Sequence, residues 1–141
     1  MPLKVELKAG ERLLIGNCVI TNSDQRTKLF IDGDAPILRE KDILTEITAN
    51  SPAKRIYFCI QLMYLDNDIS KLREQYFSLS NDFLKAAPPT LPIIDQINNQ
   101  ILTLDLYKAL RSAKKLIDYE SELLNATTSS TSISANSDTN S

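Results

Sequence analysis

Three basic side chains in the second half of the chain have a spacing suited to phosphate contact. Lys108, Arg111 and Lys115 lie at positions i, i+3 and i+7, with Lys114 beside them. On a helix this spacing places the first three on one face. Such a stripe can bind phosphate groups or an acidic partner, or it can be an ordinary solvated helix surface. The sequence leaves both interpretations open.

A second basic feature is Arg39, in the stretch PILREKDIL. Its planar guanidinium can bind a phosphate or the edge of a base, and the competing interpretation is a salt bridge with Glu40 or Asp42. Glu40 and Asp42 are only two residues apart, but they lack the apolar surroundings that a catalytic pair needs. We expect them to form a solvated, capping acidic cluster.

The remaining composition argues against catalysis. The chain has no histidine, two isolated cysteines and no glycine-rich phosphate loop, and its carboxylates are scattered. We therefore expect no enzyme activity, no catalytic residue, no metal and no cofactor. Cys18 and Cys59 are predicted to be buried thiols that act as small hydrophobic side chains.

Charge and hydropathy limit the partners and the location. Residues 1–50 carry 7 basic and 8 acidic side chains, and residues 51–124 carry 9 of each, so nucleic-acid binding has to come from a local patch. The alternating stretch MPLKVELKAG has no long apolar core, so we expect no signal peptide, and no apolar run approaches the length of a membrane span. We predict a cytoplasmic protein without membrane contact, and no feature of the sequence defines an oligomeric state.

The first fifty residues have the period-2 pattern of half-buried strands. Apolar residues alternate with polar ones around Leu3–Leu7, Leu13–Ile15 and Leu29–Ile31, and turn-forming residues separate these segments. The pattern predicts a small antiparallel β-meander of three or four strands. A meander this small needs another element to cover its apolar face.

The second half of the chain is predicted to cover the apolar face of the meander with a bundle of about four α-helices. Ser51-Pro52 begins the first helix, and apolar residues at helical spacing continue until Pro88-Pro89 ends the second. A third helix is expected over 91–104 and a fourth from Asp105 to about Leu124. Four helical tyrosines can pack in the core or anchor a partner: Tyr57, Tyr64, Tyr76 and Tyr107.

These elements predict an α+β fold in three parts. Residues 1–50 form a β-rich lobe, residues 51–124 a helical bundle that packs on it, and residues 125–141 a Ser/Thr/Asn-rich tail. The tail has too little apolar surface to offset the entropy of folding and is predicted to be disordered.

Several stretches closely resemble the FlbT family of flagellum biosynthesis regulators. They are MPLKVELKAGERLLIG, VITNSDQRTKLFIDGDAPILREKDILTE, SPAKRIYFCIQLMYL, INNQIL and YKALRSAKKLIDYESELL, within residues 1–124. The resemblance implies a post-transcriptional regulator that associates with the 5′ untranslated region of flagellin mRNA. Repressor members promote that message's degradation, and some relatives instead favour flagellin production. The alternative is a protein–protein adaptor that binds flagellin or a companion flagellar regulator.

The order Gly10-Glu11, Leu13, Ile15-Gly16, Val19, Ile31, Ala35-Pro36 and Arg39-Glu40 is also similar to the carbon storage regulator family of RNA-binding proteins. That resemblance implies RNA contact by Lys8 and Arg39. It departs at Leu7-Lys8, where the family has two arginines. Only Ile37 and Leu38 separate Pro36 from Arg39, too few for that family's strand.

Together these features predict RNA binding by the β-rich lobe through Arg39 and Lys8, extended by Lys108, Arg111 and Lys115. Phe30 is the only aromatic side chain on the predicted strands, so affinity is expected to rest on cations and backbone donors.

Overall fold

A computed structural model describes the backbone of residues 2–140 and the side chains of residues 2–126. The chain begins with five strands: β1 (Leu3–Leu7), β2 (Arg12–Ile15), β3 (Cys18–Thr21), β4 (Thr27–Ile31) and β5 (Ile37–Arg39). Four α-helices follow: α1 (Pro52–Asp66), α2 (Arg73–Ala86), α3 (Leu91–Leu102) and α4 (Leu106–Asn140). Short 3-10 turns occupy Glu40–Asp42 and Pro88–Thr90. The predicted α+β class, with antiparallel strands preceding four helices, is confirmed.

The strands form two antiparallel sheets, and their order differs from a simple meander. β1 pairs with β4, while β2 lies between β3 and β5. Asn22 helps to hold this path, because its side-chain amide donates to the carbonyl oxygens of Lys8 and Gln25, both at 2.8 Å. These bonds tie the end of β1 to the β3–β4 connection, so that β4 returns beside β1.

The three-stranded sheet is the middle layer of the molecule. Leu13 on β2 faces a small apolar cluster with Val5 and Leu7 of the two-stranded sheet. Leu14 and Leu38 face the opposite way and pack against the helices. The face that we expected the helices to cover is therefore covered by β1 and β4, and the helices cover the other face.

The strand β5 is short. We expected the two residues between Pro36 and Arg39 to be too few for the strand of the carbon storage regulator family, and β5 has only three residues, Ile37–Arg39. Arg39 pairs with Leu13 and Ile37 pairs with Ile15 of β2. Pairing with an existing strand supplies the backbone partners that so short a segment cannot provide alone.

The helical bundle is built around α1, whose side chains Ile56, Ile60 and Met63 are fully buried. The predicted start of α1 is confirmed, because the Ser51 hydroxyl accepts from the backbone N–H of Lys54 at 3.3 Å. The helix α4 packs against both α1 and α3. Its Glu120 carboxylate accepts from the backbone N–H of Ala53 at 3.0 Å and so helps to cap α1.

Two other expectations depend on local environment. Cys59 is buried as predicted, and burial raises the pKa of its thiol to about 11. The prediction for Cys18 is wrong: it is exposed, because β3 is an edge strand whose residues all face solvent.

The tail predicted over residues 125–141 lies outside the described side chains, apart from Asn125 and Ala126, which are helical and exposed. No helix in the part that the structure describes has the length and apolarity to cross a membrane.

Candidate functional site

Three side chains on one face of α1 hold the segment that carries Arg39. The amide of Gln61 donates to the carbonyl of Leu44 at 2.8 Å and accepts from its N–H at 2.9 Å. The Tyr64 hydroxyl accepts from the N–H of Ile37 at 2.9 Å and lies 3.2 Å from its carbonyl oxygen, to which it donates. One turn of helix before Gln61, the Tyr57 hydroxyl donates to the carbonyl of Asp42 at 2.5 Å. We call these three side chains, Tyr57, Gln61 and Tyr64, the α1 clamp. Sequence reasoning missed it. Its signal was the polar Gln61 in an apolar helix, four residues after one tyrosine and three before another.

Arg39 joins the two sheets. Its Nη2 donates to the backbone carbonyl of Glu6 on β1 at 2.8 Å and lies 3.5 Å from Oε2 of Glu11. As the alternative to RNA contact, we predicted a salt bridge of Arg39 with Glu40 or Asp42. Those two partners are wrong, because the acidic partner of Arg39 is Glu11. The Arg39 side chain remains 38% exposed. Its guanidinium is therefore partly committed to the fold and partly open to solvent.

Lys8 lies at the same carboxylate as Arg39. The backbone N–H of Lys8 donates to Oε1 of Glu11 at 2.9 Å. This hydrogen bond, followed by the charge of Arg39, holds the pKa of Glu11 below its ordinary value despite partial desolvation. The two residues that the carbon storage regulator resemblance pointed to are thus brought together around Glu11, with the Lys8 residue exposed.

Glu40 and Asp42 make contacts that hold the fold. Glu40 accepts from the backbone N–H of Arg12 at 3.1 Å, and Asp42 forms an ion pair with Lys114 of α4. The structure thus separates Lys114 from the other cations of α4. Within the described side chains, no three His, Cys, Asp or Glu residues come together as a metal ion would require.

The basic stripe of α4 consists of Lys108, Arg111 and Lys115, all of which are exposed. They border a groove of about 350 Å³ whose other wall is Gln100 of α3. Lys115 Nζ lies 3.4 Å from an amide oxygen of α3. None of the three forms an ion pair with any acidic residue among residues 2–126, so their charge is free to attract an anion.

Two further grooves connect Arg39 with this stripe. The first, about 430 Å³, lies between the strands and α4 and is bordered by Arg39 and Lys4. The second, about 540 Å³, shares Tyr64 and Tyr107 with the first and Lys108 with the stripe. One continuous surface, which we call the interlobe surface, therefore runs from Arg39 past Tyr107 to Lys115. Sequence reasoning missed Lys4 here, although its outward position on β1 was visible.

The tyrosines divide by exposure. Tyr57 and Tyr76 are 2% and 1% exposed, which excludes them as anchors for a partner, and burial raises the pKa of both hydroxyls. Tyr64 is half-buried by its contacts with Ile37. Tyr107 is 47% exposed and is the aromatic side chain of the interlobe surface that faces solvent most.

Comparison with known proteins gives consistent results. The family model described as "Flagellar protein FlbT" matches residues 3–124. The "Probable flagellum biosynthesis repressor protein FlbT" of Rhodopseudomonas palustris (strain TIE-1) is 56% identical over 124 residues, covering 88% of this chain and 98% of the relative. The "Probable flagellum biosynthesis repressor protein FlbT 1" of Bradyrhizobium diazoefficiens is 56% identical over 124 residues, covering 87% of this chain and 85% of the relative. The "Flagellum biosynthesis repressor protein FlbT" of Caulobacter vibrioides (strain ATCC 19089 / CIP 103742 / CB 15) is 37% identical, covering 88% and 90%. No solved structure matches the chain.

Proposed function

The chain belongs to the FlbT family of flagellar proteins, and from that premise we propose that it represses flagellum biosynthesis after transcription. In this proposal it binds the 5′ untranslated region of flagellin mRNA in the cytoplasm and promotes degradation of that message. The observation that carries the proposal is the interlobe surface, which ends in Arg39 on one side and on the other in Lys108, Arg111 and Lys115, none of which forms an ion pair within residues 2–126.

The distribution of charge supports local rather than diffuse contact with RNA. The chain has a net charge of −2, so attraction to phosphate depends on patches where cations lack acidic partners. The stripe on α4 is such a patch, and Arg39 adds a partly exposed guanidinium at the other end. Sequence-specific RNA readers contact unpaired bases in loops, where an arginine plane can stack and donate hydrogen bonds. A structured mRNA leader provides such loops.

The direct test is a gel-shift titration of the flagellin leader at rising salt. The variant Lys108→Gln/Arg111→Gln/Lys115→Gln removes the stripe. We expect a loss of roughly 10- to 100-fold in affinity near 0.1 M salt and a salt slope that is smaller by about 2, as for three lost phosphate contacts.

The matched control removes the same types of charge from a different helix region. Lys71→Gln/Arg73→Gln/Lys85→Gln also deletes two exposed lysines and one exposed arginine, in and just before α2. It should bind like wild type. Equal losses in the two triple variants would mean that total charge, and not the α4 stripe, sets the affinity, and would refute the assignment.

Arg39 needs a control of its own, because it also bonds to the carbonyl of Glu6. Arg39→Ala should weaken binding, and Glu11→Gln, which removes the ionic partner but keeps the guanidinium, should not. If Glu11→Gln weakens binding as much as Arg39→Ala, the effect arises from the lost contact within the fold. Equal binding by Arg39→Ala and wild type would remove Arg39 from the site.

The regulatory step is tested separately in cells. The half-life of flagellin mRNA should lengthen when the wild-type gene is replaced by the triple variant of α4, and should be unchanged with the α2 control. A longer half-life with wild type than without the protein would reverse the direction of regulation.

A second candidate function is an adaptor that binds flagellin or a companion flagellar regulator. Exposed leucines at the α3–α4 turn favour it, since Leu102 and Leu104 are 63% and 58% exposed. Purified flagellin retained by the wild-type protein after nuclease treatment, and released by Leu102→Ser/Leu104→Ser, would support the adaptor. Retention that nuclease abolishes would support RNA binding instead.

A further inference from the structure

Tyr107 is an exposed aromatic ring held in a concave part of the interlobe surface. It lies in the first turn of α4 and is 47% exposed. Its ring centroid is 5.8 Å from that of Tyr64, with the planes tilted by 50°. Tyr64 is in turn fixed by two hydrogen bonds to the backbone of Ile37. Tyr64 is therefore anchored to the fold, and the Tyr107 ring that packs against it remains exposed to solvent.

The charge around Tyr107 is arranged in three zones. The first groove is bordered by Lys4 and Arg39 and also by Asp42, whose carboxylate is paired with Lys114, and on the other side Lys108 leads to the α4 stripe. Between them the second groove is lined by the acidic residues Asp34 and Asp105. Phosphate is favoured at the two basic ends and disfavoured in the middle. A nucleobase, which is neutral and has a π face and polar edges, fits the middle.

We propose that an unpaired nucleobase of the bound RNA stacks on Tyr107, with its flanking phosphates toward Arg39 and Lys108. This inference rests on the proposed RNA-binding function and adds an aromatic contact that the cations alone do not supply. The second groove, of about 540 Å³, lies within the size range of small-molecule sites, roughly 300–1,000 Å³. Base–aromatic stacking tolerates any base, so specificity would come from polar groups around the ring.

Phe30 is a useful comparison because it is more exposed, at 69%. It stands on β4 directly opposite Lys4, and it lines none of the three grooves of the interlobe surface. The nearby Lys28 lies 4.0 Å from Glu6, so that face also carries an acidic side chain. We therefore assign the stacking contact to Tyr107.

The experiment measures binding of the flagellin leader to Tyr107→Ala and Tyr107→Leu, with Tyr107→Phe and Phe30→Ala as controls. The Ala and Leu variants should bind about 5- to 150-fold more weakly, the loss expected for one base–aromatic stack. The salt slope should match wild type, because the ring carries no charge. Tyr107→Phe, which keeps the ring, and Phe30→Ala should bind like wild type. The Leu variant keeps apolar contact with Tyr64, so a weakened Leu variant that remains folded excludes a purely structural effect.

A second measurement locates the stacked base. Leader RNAs with one abasic nucleotide at a time are titrated against wild type and Tyr107→Ala. At one position, the abasic nucleotide should weaken binding to the wild-type protein by the same factor as the Tyr107→Ala substitution does. The same abasic RNA should bind Tyr107→Ala no more weakly than the intact leader does, as expected for a directly coupled pair. If wild type binds the leader and both Tyr107→Ala and Tyr107→Leu bind equally well, this inference is wrong and the proposed function stands. If wild type does not bind the leader at all, both are wrong.

Discussion

Gln61 connects the helical bundle to the segment that follows the strands, and its replacement by methionine should destabilise the protein. Gln61 is 3% exposed, and its amide bonds to both backbone groups of Leu44, at 2.8 and 2.9 Å. Gln61→Met keeps the size and helix propensity of the side chain but leaves one N–H and one C=O without partners. A stranded buried polar group costs about 1–3 kcal/mol. Because Leu44 is only partly buried, we expect a loss of about 2–3 kcal/mol in the free energy of unfolding.

Urea unfolding followed by circular dichroism measures this loss. With a slope of about 1–3 kcal/mol/M, the midpoint should fall by about 0.7–3 M. Gln75→Met is the matched control, because Gln75 is exposed on α2 and no hydrogen bond joins its amide to another described residue. The control should lie within about 0.5 kcal/mol of wild type. If the Gln61→Met protein is as stable as its control, the hydrogen bonds from Gln61 to Leu44 do not stabilise the fold, and the reasoning is refuted.

Three further predictions concern single side chains. Leu104→Gly should stabilise the protein by about 1 kcal/mol, because Leu104 has φ of +61° and its exposed side chain gains little from packing; the melting temperature measures it. Glu11 has a lowered pKa in the fold, so its carboxylate stabilises the protein above its ordinary pKa of 4.5, and this stabilisation is lost as pH falls toward the lowered value. The difference in stability between wild type and Glu11→Gln should therefore shrink on acidification. A thiol reagent should modify exposed Cys18 at once and buried Cys59 only on unfolding.

Each of these predictions has an outcome that contradicts it. A lower melting temperature for Leu104→Gly would mean that the leucine side chain contributes more than its strained backbone costs. A difference between wild type and Glu11→Gln that is constant from about pH 7 to pH 3 would show that Glu11 has no shifted pKa. Equal modification rates of Cys18 and Cys59 in the native protein would mean that α1 does not bury Cys59.

The helices were predictable because their signals are local. Ser51-Pro52 places a capping hydroxyl and a proline where a helix starts, and α1 begins at Pro52. Pro88-Pro89 marks the end of α2 at Ala86. The end of α3 was placed two residues late, because Leu104 takes a left-handed conformation that a leucine rarely adopts and its sequence does not announce.

Strand pairing was less predictable than the strands themselves. A period-2 pattern identifies a half-buried strand but does not say which strand pairs with it. The amide of Asn22 bonds to the carbonyls of Lys8, 14 residues before it, and Gln25, 3 residues after it, and so helps to hold the end of β1 beside the start of β4. The same lack of long-range information made Cys18 look buried, since only the edge position of β3 exposes it.

The sequence by itself determined the elements, the near-neutral charge and the α4 stripe, because each depends on spacing within one segment or on composition. The sequence also marked Arg39 as a basic feature, and the resemblance to the carbon storage regulator family added Lys8 and supported Arg39. Only the tertiary structure decided that Arg39 pairs with Glu11, that Lys114 turns away to Asp42, and that Tyr107 and Lys4 border grooves beside Arg39. The two ion pairs join residues 28 and 72 positions apart, and the first groove brings together residues of β1 and α4. Distances between elements are set by packing rather than by any local pattern.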